Sequence, residues 1–144
     1  PAVDIWKHCF ERVAPRLLLY ACQLCPSRAD AEDVVQMAFV RWWRRFPDGD
    51  ERHIPLLYAA VRTIALDQRR SWQRRIAREA ASEVALPQGD AAVFDPPPEQ
   101  RETAAIVQLA LEELPEPQRE VVTLKLWAGL TFAQIAETTG ESIN

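Results

Sequence analysis

The chain has 144 residues, 48% of them hydrophobic, and a formal net charge of −4. That length suits one ordinary domain or two small helical ones, and the apolar content with five tryptophans argues against general disorder. No apolar run approaches the ~20 residues needed to cross a bilayer and no secretory leader pattern opens the chain, so a cytoplasmic protein without membrane insertion is expected.

Residues 4–25 are predicted to form one or two helices, with Ile5, Trp6, Phe10, Val13, Leu17, Leu18 and Ala21 at helical spacing and Pro15 bending or dividing them. Cys9, Cys22 and Cys25 fall in this stretch. Cys22 and Cys25 lie on one side of the helix, where small thiols pack into a core. A metal site would need a further ligand such as His8 or His53, and thioredoxin-like chemistry would need a preceding strand.

Ser27 and Asp30 can cap the next helix, residues 28–46. At 100° per residue Ala31, Val35, Ala38, Trp42 and Phe46 stack on one face, flanked by Val34 and Phe39. The opposite face gathers Asp33, Gln36, Met37, Val40 and Arg44. Apolar Met37 and Val40 among polar neighbours mark a face that docks on a partner.

Pro47–Ile54 is a loop by composition. A long helix then runs from about Pro55 into the seventies, with Leu57, Val61, Ile64, Ala65, Gln68 and Trp72 inward. Arg62, Leu66, Arg69, Arg70 and Gln73 line its outer face, and Arg74, Arg75 and Arg78 extend the charge. Arginines a turn apart can each meet a phosphate. Tyr58 and Trp72 are expected as core aromatics rather than base-stacking platforms.

Residues 80–102 lose helical periodicity, carry Pro87, Pro96, Pro97 and Pro98, and are predicted to be an extended acidic linker. From Thr103 to Leu114, Ile106, Leu109, Ala110 and Leu114 restore helical spacing. Pro117 then suits the first turn of a helix carrying Val121, Val122, Leu124, Leu126 and Trp127, and Gly129 ends it. Thr131 with Gln134 forms a capping box for a short helix with Ile135 and Ala136 inward, and Gly140 turns the chain. Ser142 could cap a third helix, but the sequence stops at Asn144. Helix, tight turn and helix make a helix-turn-helix without its reader helix.

Charge separates along the chain. Residues 41–78 hold ten arginines against Asp48, Asp50, Glu51 and Asp67, whereas residues 79–120 hold ten acids against Arg101 and Arg119. A basic middle beside an acidic stretch outweighs the overall balance. There is no Gly-rich phosphate loop and no H-E-x-x-H, and neither histidine has a nucleophile beside it. No catalytic residue, cofactor or metal is expected.

Leu114, Pro115, Arg119, Val121, Leu124, Gly129, Thr131, Ile135, Ala136, Gly140 and Ser142 resemble the C-terminal pattern of sigma-70 family RNA polymerase sigma factors of the extracytoplasmic-function (group IV) type. DAEDVVQMAFVRWWRRF is similar to the family segment, usually AED-x-x-Q-x-x-F, that grips the clamp helices of the polymerase largest subunit. The resemblance implies an all-α fold of two small helical domains. Residues 1–79 would bind core polymerase and the −10 element, and residues 80–102 would be the linker. Residues 103–144 would hold the −35 element through an incomplete helix-turn-helix. It implies core RNA polymerase, promoter DNA and an anti-sigma factor as partners. Core-binding residues would be Asp33, Gln36, Met37, Phe39, Val40 and Trp43. DNA-binding residues would be Arg62, Thr63, Arg69, Arg70, Gln73, Arg74, Arg119 and Thr131, and the loop Pro47–Ile54 would capture an unstacked base. Leu56 and Thr63 stand where the family usually has Trp and Asn, while Asp67 and Arg70 match. Two further readings are a sigma-like decoy that binds an anti-sigma factor and a plain helix-turn-helix regulator.

Overall fold

The computed structural model describes residues 2–81 and 98–141. In chain order it forms α1 (Ala2–Leu24), α2 (Arg28–Arg45), a 3-10 turn (Glu51–His53), α3 (Ile54–Ala81), α4 (Pro98–Glu112), α5 (Glu116–Leu126) and α6 (Phe132–Thr139). No strand occurs among the described residues, so the fold is all-α as expected.

Helices α1, α2 and α3 pack against one another. Their inward stripes meet in a core built on Leu17, Tyr20, Val34, Val35, Phe39, Leu57, Tyr58 and Val61, each almost completely buried. Burying a large apolar side chain contributes about 1.5–3 kcal/mol, which is what outweighs the ordering cost of three helices. Tyr58 and Trp72 are core aromatics, as expected. Pro15 does not divide α1, which continues through it. Pro15 is exposed and its neighbours Val13, Ala14, Leu17 and Leu18 are buried, so packing on the inner side holds the helix across the missing backbone donor.

Ser27 caps α2 by accepting from the Asp30 backbone N–H at 3.1 Å, while its hydroxyl donates to Asp30 Oδ2 at 2.7 Å. The helices on either side extend into the segment expected to be linker. Helix α3 runs to Ala81, and α4 begins at Pro98, since proline in a first turn gives up an N–H that has no helical partner. The remainder of that segment, residues 82–97, lies outside the described residues.

At the far end, Gly129 takes φ +69° and lets Leu130 N–H donate to Leu124 O at 3.2 Å, closing the turn between α5 and α6. Thr131 and Gln134 make the predicted capping box, with bonds of 3.1 and 2.8 Å. Gly140 ends α6 in the left-handed conformation at φ +76°. Helix α5 rests on α1 and α6 on α3, and Leu124, Leu130 and Ile135 belong to the same continuous apolar cluster as the α1–α3 core.

Cys9 is buried in that core. Cys22 is exposed and Cys25 lies past the end of α1, so the pair does not pack as two buried thiols on one helix face. Burial, followed by the neighbouring Cys22 and Asp30, pushes the Cys25 thiol up to about 12, far from a reactive thiolate.

Candidate polymerase and nucleic-acid interface

The outer face of α2 is built as its periodicity required. Asp33, Gln36 and Val40 are exposed, Met37 and Trp43 are half-buried, and Val40 keeps 44% of its surface in solvent. Met37 is braced from below by α3, whose Gln68 Nε2 lies 3.7 Å from its sulfur. Phe39, expected among the core-binding residues, differs from the rest of that set in its burial. It is 1% exposed, because at its position on the helix the ring turns inward against Phe10 at 5.0 Å, Trp6 at 5.5 Å and Trp42 at 5.7 Å. It supports Trp43, stacked at 6.2 Å, and offers no surface of its own.

The loop after α2 is tightly organised. Gly49 has φ +66°, a conformation that strains other residues, and a Cβ there would also stand a tight 3.2 Å from the Trp43 ring. Asp50 N–H donates to Asp48 Oδ1 at 3.2 Å, and the Asp50 carboxylate accepts from the backbone and side chain of Arg52. Arg52 holds the Asp50 carboxyl down at about 2. Trp42 Nε1 donates to His53 O at 2.8 Å, the His53 ring stacks on Phe46 at 4.0 Å, and Arg12 of α1 pairs with Glu51. The loop is therefore tied to α1 and α2 at several points, and its shape is set before any ligand arrives.

Along α3 the arginines divide by partner. Arg70, Gln73 and Arg74 are exposed, with Arg69 beside them also exposed and 3.3 Å from Glu116 of α5. Thr63 is exposed, its hydroxyl donating to Ala59 O at 3.0 Å. Arg75 turns away from the row. Its guanidinium grips Asp30 of α2 with both terminal nitrogens, Nη1 to Oδ1 at 2.9 Å, and that contact chiefly holds the Asp30 carboxyl below the usual range. Arg62 is half-buried and donates through Nε to Glu120 Oε1 of α5 at 2.7 Å. The same carboxylate oxygen accepts from the Tyr20 hydroxyl at 2.6 Å.

In the second helical unit Thr131 stands at the start of α6 with its hydroxyl used in the capping box. Arg119 has its guanidinium on the end of α4, donating to the carbonyl oxygens of Leu111 (2.8 Å), Leu114 (3.0 Å) and Glu112 (3.2 Å). Leu111 O also accepts the Leu114 N–H at 3.1 Å, so Arg119 adds to the bonds at and just past the end of α4 and fixes the α4–α5 corner. The pairs Arg75–Asp30, Arg119–carbonyls and Tyr20–Glu120–Arg62 join residues whose local sequence carried no signal of partnership. For the last, the only hint was the opposition between a basic middle and an acidic flank.

Among the described residues no group of three or more His, Cys, Asp or Glu could hold a metal, and no helix is long and apolar enough to cross a membrane. The family model for Sigma-70 region 2 matches residues 9–76, and that for Sigma-70, region 4 matches residues 104–144. The RNA polymerase sigma-E factor of Streptomyces avermitilis is 34% identical over 128 residues, 88% of this chain and 68% of its own length. The RNA polymerase sigma-E factor of Streptomyces coelicolor is 28% identical over 126 residues, with the same coverage. No solved structure matches the chain. The two matched regions take in α2, α3 as far as residue 76, α5 and α6, which carry the exposed α2 row, most of the arginines and the helix-turn-helix. The chain thus belongs to the sigma-70 family, in its extracytoplasmic-function type, and is a non-enzymatic DNA-binding subunit that acts with core RNA polymerase in transcription initiation.

Proposed function

We propose that the two helical units, residues 1–79 and 103–144 on either side of the segment 80–102, share the work of promoter recognition. The outer face of α2, with Asp33, Gln36, Met37, Val40 and the edge of Trp43, docks on the clamp helices of the polymerase largest subunit. The observation that carries this reading is that these residues form one outward row over a filled core, with apolar Met37 and Val40 left at the surface. Phe39 acts beneath that row as its support.

The loop Pro47–Ile54 and the α3 face then hold melted −10 DNA. Extruding a base costs a few kcal/mol, and a loop already tied to α1 and α2 recovers part of that cost without further ordering. Arg69, Arg70, Gln73 and Arg74 meet backbone phosphates, with Arg62 and Thr63 nearer the loop. The second unit grips −35 backbone through the N-terminus of α6 at Thr131, where the positive end of the helix dipole suits a phosphate, and Arg119 shapes the corner that presents it. An anti-sigma factor would act by covering these surfaces.

The test is run-off transcription on DNA enriched from a random pool by the complex of this chain with core polymerase. A defined transcript, lost when Arg70 and Arg74 are both replaced by alanine, is expected. Core binding without any transcript would favour the decoy reading.

A further inference from the structure

The outer face of α3 changes character along its length. At 100° per residue, Leu56, Ala59, Thr63 and Leu66 fall on the same stripe as Arg70 and Arg74. Toward the loop the stripe is apolar. Leu56 keeps 50% of its surface in solvent and Leu66 39%, with Ala59 half-buried and Thr63 exposed between them. Past Leu66 the stripe is cationic, with Arg70 and Arg74 exposed. Thr63 does not make the first half polar. Its hydroxyl hydrogen is spent on Ala59 O at 3.0 Å, one turn back in the same helix. What remains for a ligand is a methyl group and an oxygen that accepts.

Leucine and alanine side chains bring no donor either. A base carbonyl or ring nitrogen laid on this half gives up water and gains no hydrogen bond, which is costly. An apolar edge loses nothing there, and among the four DNA bases the C5-methyl of thymine is the largest such group. The occupant is a nucleic-acid strand because the apolar half runs into the arginines on one face. Thr63 and Arg70 are seven residues apart, ~10.5 Å of helix, or about three nucleotides at 3.4 Å each. One strand can therefore lie along both halves, with phosphates on the arginines and bases on the leucines. We infer that Leu56, Thr63 and Leu66 form a base-reading stripe that selects thymine in the melted strand through its C5-methyl. The inference rests on the assignment of α3 to DNA given above and adds the base it prefers. The arginines supply affinity without sequence information, and the stripe supplies the sequence. Asp67, exposed at the rim, offers an acceptor to exocyclic amino groups, which makes cytosine the competitor.

The test is fluorescence anisotropy of the full chain at low salt with labelled oligo(dT), oligo(dU) and oligo(dC) of equal length. Thymine and uracil differ by the methyl group alone. Wild type should bind oligo(dT) about fourfold more tightly than oligo(dU), the effect of burying one methyl group. Thr63→Ser keeps the hydroxyl and removes the side-chain methyl, and Leu66→Asn puts an amide on the stripe. Each should narrow that ratio, and the double variant should bring it close to one with an unchanged melting temperature, since both side chains are exposed. Arg74→Ala should weaken all three oligomers equally and leave the ratio intact. If Arg74→Ala weakens binding while wild type holds oligo(dT) and oligo(dU) equally, the DNA assignment stands and the base reading is refuted. A ratio that survives the double variant also refutes it, by placing the methyl contact elsewhere. Tighter binding of oligo(dC) than of oligo(dT) does so as well, by giving the reading to Asp67. If Arg74→Ala affects none of the oligomers, the DNA assignment fails and the thymine preference falls with it.

Discussion

Replacing Asp30 by asparagine isolates the charge that ties α2 to α3. The carboxylate accepts from both terminal nitrogens of Arg75 and from the Ser27 hydroxyl, and its side chain is only 10% exposed. Hydrogen bonds to a charged partner contribute about 1.5–3 kcal/mol. Arg75 is 38% exposed and recovers water when its partner is neutralised, so the net loss is set at about 2 kcal/mol. For a chain of this size that lowers the melting temperature by about 6 °C. The sign of the pH dependence follows from the lowered Asp30 pKa. Its contribution is complete above the ordinary aspartate value of ~3.9 and is lost as pH falls through the lower folded value. Thermal melts followed by circular dichroism should therefore show the full gap between Asp30→Asn and wild type at pH 7. That gap should close as the pH is taken below about 3.9. Asp33→Asn, on the exposed face, should melt as wild type does. A variant that melts within about 1 °C of wild type at pH 7 would refute the reasoning, as would a gap that persists undiminished in acid.

Arg119→Ala strips the end of α4 of three carbonyl partners and should cost about 2 kcal/mol, seen as faster amide exchange around the α4–α5 corner with α1–α3 protection unchanged. Thr131→Ala breaks the capping box and should cost about 1 kcal/mol in a thermal melt, with Thr131→Ser nearly neutral. Arg74→Ala should weaken single-stranded DNA binding uniformly across sequences and flatten the plot of log affinity against log salt by about 0.7. Arg75→Ala should destabilise the fold and leave that slope unchanged, because its guanidinium is engaged with Asp30.

The sequence indicated most of the architecture because helices announce themselves locally. The Ser27 cap, the Thr131–Gln134 box, the Gly140 stop and the inward stripes of α2 and α3 are all decided by residues within a turn or two of each other, and each is found where expected. Pro15 misled because a propensity against helix was set against tertiary burial on both sides, and burial prevailed. Pro98 ended the expected linker early, since a proline cluster signals a break in one register and a helix start in the next. At the candidate site the exposed α2 row was legible from periodicity, and so was the outward placement of Arg70, Gln73 and Arg74. The burial of Phe39 was not legible from the family motif, which marks residues a function needs without separating those that face outward from those that hold up a neighbour. The partners of Arg62, Arg75 and Arg119 were not legible. Two of those pairings cross 58 and 45 residues, and the third aims a side chain at backbone carbonyls that every residue type supplies.

The proposed function makes promoter recognition depend on α2 engaging polymerase, and the affinity of the intact protein for core RNA polymerase measures that step directly. Fluorescence anisotropy with labelled chain should give saturable binding. The Asp33→Ala, Gln36→Ala double variant should bind at least about tenfold more weakly with an unchanged melting temperature, because both side chains are exposed and support no core contact. A double variant that binds core polymerase as tightly as wild type, or a wild-type chain that does not saturate, would contradict the assignment of the α2 face.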